Sequence, residues 1–235
     1  MNRVILSAST DETILAVTRQ HKLVDLEIEQ QINTEIVGCI YKGVVKNIVP
    51  AVDGIFVDIG IGKNAFLRRK DLLNEKRFPT EGSPILAQVI KSDTDMKGAL
   101  ITEKISMFGK YAVTLSGTGY IGVSKKIRQE SVRKRLKEIG KEICAEHMGL
   151  IIRTAAENAD MDEFRKDITR LKENWDIIQK RFRMEKSPTL LYRESDIIVK
   201  ALRDYVNKGT EILITDNRKI YERICKLNES EHTIE

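Results

Sequence analysis

Apolar and polar positions alternate with a period of two through the first half of the chain, and switch to a helical period in the second. In Gly54-Ile55-Phe56-Val57-Asp58-Ile59 the alternation puts Ile55, Val57 and Ile59 on one face and Phe56 with Asp58 on the other. In Asn64-Ala65-Phe66-Leu67-Arg68 it sorts Ala65 and Leu67 inward and Phe66 outward, between Asn64 and Arg68. The branched aliphatics define the core side, so both phenylalanines share a face with polar groups. They are either a stacking platform for unpaired bases or a patch that another part of the chain covers.

The same pattern predicts the elements on either side. Val4-Ile5-Leu6, Thr13 to Thr18 and Leu23 to Ile28 read as a small antiparallel meander, broken at Asp11-Glu12 and Gln20-His21. Strand-like runs recur at Ile36 to Ile48, 54–59, 65–67, Ile85 to Ile90 and Ala99 to Ile105. Turn signals at Pro50, Gly60-Ile61-Gly62, Glu81-Gly82-Ser83-Pro84 and Asp93-Thr94-Asp95 separate them, which suggests a five-stranded OB-type β-barrel. A strand pair, Tyr111 to Leu115 and Tyr120 to Val123, leads into a basic helix from about Ser131, and a further strand covers Gly149 to Ile152. Met161, Phe164, Ile168, Leu171, Trp175, Ile178 and Phe182 recur at spacings of three and four, the core stripe of a long helix. After Lys186-Ser187-Pro188 the pattern is β-α-β-α: Thr189 to Tyr192, Ser195 to Val206, Glu211 to Ile214, and a helix announced by Asp216-Asn217. The fold class is therefore α+β and multidomain.

Composition narrows the classes. The 235 residues are 41% hydrophobic and 32% charged, enough for a real core, and no apolar run approaches the length of a membrane helix. Cys39, Cys144 and Cys225 are odd in number and far apart, which argues against a disulfide framework or a structural zinc site and for a reducing, cytoplasmic setting. From Lys125 to Lys141 there are eight Lys or Arg against two acids, a local net of +6 in a chain that totals +5. That is either a polyanion-binding face or a solvated helix surface. Asp93-Thr94-Asp95-Met96-Lys97-Gly98 begins like a calcium loop, but Lys97 occupies a ligand position and Lys104 stands where the closing Glu belongs. It is a turn. Gly60-Ile61-Gly62-Lys63-Asn64 lacks the spacing of a phosphate loop, and His21, His147 and His232 are isolated.

The segments 40–45, 51–60 and 65–67 resemble the S-one RNA-binding domain as it occurs in ribonuclease E/G. The resemblance continues through Gly109-Lys110-Tyr111-Ala112-Val113, Gly122-Val123-Ser124-Lys125-Lys126-Ile127, Gly149-Leu150-Ile151-Ile152-Arg153-Thr154-Ala155 and Glu211-Ile212-Leu213-Ile214. It implies a barrel inserted into a ribonuclease H-like α/β subdomain and followed by an α/β sensor of the RNA 5′ end. Residues 1–34 and 187–235 would be two halves of the ribonuclease H-like unit, the second truncated, with the barrel at 35–106 and the sensor at 107–186.

The resemblance also implies roles. Phe56 and Phe66 would hold single-stranded RNA with Lys97 as a basic partner. Arg153 and Thr154 would grip a 5′-monophosphate in a pocket lined by Gly109 and Val113, and Lys125 and Lys126 would be generic backbone contacts. An arginine offers a planar fork of donors suited to a terminal phosphate, and a threonine adds a hydroxyl. Family catalysis uses two aspartates that hold Mg2+, and a cysteine pair forms a Zn2+ link between protomers. Both lie downstream of the matching segments, so this chain is expected to contain no catalytic residue, to bind neither ion, and to bind RNA without cutting it, the full-length protein being a magnesium-dependent endoribonuclease and a homo-oligomer. The alternative is a non-catalytic single-stranded RNA-binding module.

Overall fold

The computed structural model describes residues 2–30, 36–76, 78–94, 97–144, 148–193, 195–206, 210 and 212–231. Expectations that touch Asp95, Met96, His147, Glu211 and His232 lie outside these residues. In chain order the strands and helices are β1 (Asn2–Ala8), β2 (Glu12–Arg19), β3 (Lys22–Gln30), β4 (Ile40–Val49), β5 (Gly54–Asp58), β6 (Ala65–Arg68), β7 (Pro84–Lys91), β8 (Leu100–Thr102), β9 (Ser106–Phe108), β10 (Ala112–Ser116) and β11 (Ile121–Val123). Then follow α1 (Glu130–Ile143), β12 (Met148–Ile152), α2 (Met161–Met184), β13 (Thr189–Tyr192), α3 (Ile197–Tyr205), β14 (Ile212–Thr215) and α4 (Arg218–Glu231).

Two compact units divide the chain. One comprises 1–35 and 195–235, the other 36–194. In the first, β1, β2 and β3 form the expected meander, and β14 adds to it parallel to β1, giving the order β14-β1-β2-β3. Val4, Leu6, Leu15 and Val17 alternate onto one face and pack under Ile197, Ile198 and Ala201 of α3 and Ile220 and Ile224 of α4. The helix-start signal acts as read: the Asn217 side-chain oxygen accepts from the backbone N–H groups of Lys219 and Ile220 at 3.0 and 3.3 Å. No helix of the described residues is long and apolar enough to cross a membrane.

The second unit contains a closed barrel in which β4, β5, β6, β8 and β7 pair in turn and β7 returns to β4. Ile55, Val57, Ala65 and Leu67, which alternation assigned inward, fill it together with Ile85, Ala87, Val89 and Ile101. Beside the barrel, β11, β12, β10 and β9 form a four-stranded sheet in that order. One face of that sheet (Met107, Ala112, Ile121, Leu150, Ile152) packs against Leu136 and Ile139 of α1 and against Phe164, Ile168, Leu171 and Ile178 of α2, with Trp175 half-buried at its margin.

Two expectations change. The runs 111–115 and 120–123 are strands but not a pair, because β12 lies between them, antiparallel to β10 and parallel to β11. The stretch 187–235 is also divided. Its first strand, β13, pairs with Ile40–Lys42 of β4 and extends the barrel's sheet, so the break between compact units falls after 194. Lys42 reinforces this seam. It is only 9% exposed, and its Nζ donates to the carbonyls of Phe182 and Glu185 at 2.7 and 2.6 Å, satisfying orphan groups at the end of α2.

Candidate functional site

Phe56 and Phe66 are directly opposite one another in the antiparallel β5–β6 pair. Their rings lie 5.4 Å apart at 49°, half-buried on the outer face of the barrel while Ile55, Val57, Ala65 and Leu67 turn inward. A tilted pair at this distance holds each ring's orientation. Gly54 makes the arrangement fit: a Cβ there would stand 2.4 Å from the Phe66 ring, so only a glycine lets that ring lie across the strand. Polar groups rim the pair. Lys46 of β4 meets Asp58 at 3.4 Å, and Arg68 bonds Asp71 at 2.5 Å.

Lys97 is exposed in a turn closed by reciprocal bonds with Thr94, of 2.8 and 3.2 Å. Lys63 braces that turn through the Thr94 carbonyl at 2.9 Å. Two residues on, the Ala99 carbonyl accepts from the backbone N–H of Phe66 at 2.7 Å, so the fold brings the lysine's turn to the strand that bears the ring.

The second cluster sits at the end of the four-stranded sheet. Arg153 follows β12 in extended conformation, and its backbone N–H continues the ladder to the Tyr111 carbonyl at 2.8 Å. Its guanidinium donates to the Gly109 carbonyl at 2.8 Å, bringing together two residues 44 positions apart. The turn that carries Gly109 is held from below by Asp167 of α2. This carboxylate, on a residue 7% exposed, accepts from the backbone N–H groups of Lys110 and Tyr111 at 3.2 and 2.8 Å and from Arg170 at 3.1 Å. A Cβ on Gly109 would stand 2.4 Å from the Asp167 carboxylate, so the turn can close on it only as glycine. Burial, reinforced by a 2.5 Å hydrogen bond to Glu163, pushes the Tyr111 phenol up and keeps it a donor, a second tie between the turn and α2.

The Thr154 hydroxyl stands 3.0 Å from that of Ser124, in the loop after β11. Ser124 also accepts from the backbone N–H of Lys126 at 3.3 Å, and the side chains of Lys125 and Lys126 are exposed there. Val113 lies in register with Phe108 on one side and Ile151 on the other, on the face away from the helices. The cluster thus assembles Gly109, Val113, Arg153 and Thr154, and adds Ser124, Lys110 and Asp167, to which sequence reasoning gave no role. Ser124 was within a recognised segment, but nothing in the chain's order pairs it with Thr154.

The basic run is not uniform. Arg133 turns back, donating to the Ser124 and Ile127 carbonyls at 2.7 and 2.9 Å and so fastening the loop to α1, while Lys134, Arg135, Lys137 and Lys141 face solvent. Among the described residues no three His, Cys, Asp or Glu side chains come together as a metal site.

The S1 RNA binding domain model matches residues 34–102, and the Ribonuclease E/G family model matches residues 106–234. Ribonuclease G of Escherichia coli K12 is 32% identical over 95% of this chain and 49% of its own length. Ribonuclease G of Haemophilus influenzae is 31% identical over 94% and 48%, and ribonuclease E of Buchnera aphidicola is 31% identical over 94% and 25%. The chain spans about half the length of the ribonuclease G relatives it matches. With more than half of its residues inside the family match, and an RNA-binding barrel ahead of them, the chain belongs to the ribonuclease E/G family.

Proposed function

We propose that this chain is the RNA-binding and 5′-monophosphate-sensing portion of a magnesium-dependent, single-strand-specific endoribonuclease of RNA processing and decay. The observation that carries the proposal is the Arg153–Gly109 bond of 2.8 Å beside the Thr154–Ser124 hydroxyl pair at 3.0 Å. A fork of N–H donors and two hydroxyls, flanked by Lys125 and Lys126, supports recognition of a compact dianion. A terminal monophosphate has that shape, and a triphosphate is disfavoured by bulk. On the barrel, Phe56 and Phe66 stack unpaired bases and Lys97 neutralises a neighbouring phosphate. A duplex keeps its bases stacked on one another, so this grip favours single strands.

In this reading 1–34 and the stretch after 194 make up a ribonuclease H-like unit. The metal-holding aspartates and the zinc-binding cysteines belong to the remainder of a longer, homo-oligomeric cytoplasmic enzyme. The family membership and the half-length coverage of ribonuclease G support this. The test is binding of the chain to matched single-stranded RNAs ending in 5′-monophosphate or 5′-hydroxyl, alongside cleavage assays with magnesium. Expected are tighter binding of the monophosphate, no products from the chain alone, and products from the full-length protein. Equal affinity for both ends refutes the sensing role. A full-length protein that binds without cutting favours the alternative, a non-catalytic single-stranded RNA-binding module.

A further inference from the structure

The face of the four-stranded sheet turned away from α1 and α2 carries partly exposed apolar side chains. Phe108 of β9 is 44% exposed and Ile151 of β12 is 40% exposed. The register sets Phe108, Val113 and Ile151 side by side across three strands and continues from Ile151 to Gly122 on β11. Gly122 has no side chain of its own to add. Instead the Tyr120 ring, on a residue 63% exposed, lies over it, at 2.8 Å from where a Cβ would be. An unbroken row of apolar groups therefore crosses all four strands, three strand spacings of about 4.8 Å each or roughly 14 Å in all. An aromatic ring stands at each end.

One edge of the row is charged in a way that selects its occupant. Phe108 immediately precedes Gly109, whose carbonyl holds the Arg153 guanidinium, and strand alternation puts Arg153 on the same face as Ile151. Lys125 and Lys126 are exposed beside Thr154 and Ser124, and Lys110 lies in the Phe108–Ala112 turn. Apolar rings bordered by cations complement a polymer that alternates flat bases with phosphates.

We infer that this face is a base-stacking track. The nucleobases that follow the 5′ phosphate lie along Phe108, Val113, Ile151 and Tyr120, so the track contributes to affinity whether or not the terminal phosphate is present. The polarity of the track rests on reading Arg153 and Thr154 as the phosphate grip, while its stacking does not. The closing experiment keeps the two apart. Binding of the full chain is measured to single-stranded RNAs bearing ordinary bases or abasic sites at the first two positions, each with a 5′-monophosphate or a 5′-hydroxyl.

Phe108→Ala and Tyr120→Ala should each weaken binding of the base-bearing RNAs about fivefold or more, equally for both 5′ ends, and leave the abasic RNAs unchanged. Phe108→Leu keeps an apolar side chain and serves where alanine perturbs folding; it should show the same base-dependent loss. Equal losses on abasic and base-bearing RNA, or no loss with any of the three variants, overturn the track. Absence of monophosphate preference in the parent chain refutes the phosphate grip, yet leaves the abasic comparison to judge the track on its own.

Discussion

The barrel's aromatic pair and the arginine cluster of the neighbouring sheet are built by different designs. Phe56 and Phe66 are ten residues apart on adjacent strands, and their register alone puts one ring against the other. The Arg153 cluster draws on the β9–β10 turn, the loop after β11, the end of β12 and a carboxylate from α2. A platform on one hairpin tolerates change in its surroundings. A pocket assembled from four elements depends on its support, and the buried Asp167 is that support.

The comparison breaks first at Asp167. Asp167→Ala removes the acceptor for two backbone N–H groups and the partner of Arg170, and should cost about 3 kcal/mol in denaturant unfolding while also loosening monophosphate selection. Retention of both stability and selection would show that the turn stands without α2. Next, Arg153→Ala should erase the distinction between monophosphate and hydroxyl ends, a loss of about 2–3 kcal/mol confined to the monophosphate, read by titration. An unchanged distinction would sink the sensor assignment.

Phe56→Ala and Phe66→Ala should each weaken single-stranded RNA by about 1–2 kcal/mol, alike for both 5′ ends, with little change in Tm. Because the rings touch, the double variant should lose less than the sum of the two, and strict additivity would argue that they act separately. The smallest effect sharpens the boundary between the regions, where α2 meets β13. Glu185 is held below the ordinary carboxylate value chiefly by its hydrogen bond from Arg181, which also donates to the Leu190 and Leu191 carbonyls. A carboxyl lowered in the folded state adds stability above its unfolded value and gives it up as pH falls through the folded one. Thermal melts of the parent should therefore drop more steeply on acidification than those of Glu185→Gln. Parallel curves would remove Glu185 from the seam.

Much of this was legible along the chain. Period-two alternation sorted Phe56 and Phe66 outward and the aliphatics inward, the helical stripe from Met161 to Phe182 marked α2, and Asp216-Asn217 marked the start of α4. Two of the strand pairings were not legible. The two runs read as partners, 111–115 and 120–123, are separated by β12, and β13 left its expected unit to join β4. Pairing over such separations is set by which edge strand is open and which face needs cover, and no local pattern reports that. Nor could spacing reveal the Ser124–Thr154 pair or the seat of Gly109 on Asp167, 58 residues away.

The order of residues by itself determined which side chains face water and which the core, because burial follows a strand's or helix's own period. It also determined, through the resemblance, the family and which residues to expect at a candidate site. Only the tertiary structure decided that Arg153 rests on Gly109, that Asp167 fills the space a side chain at Gly109 would need, and that Phe108, Val113, Ile151 and Tyr120 make one continuous face. The physical reason is that such sites are made by hydrogen bonds and contacts across strands distant in sequence, and these exist only once the sheet has closed.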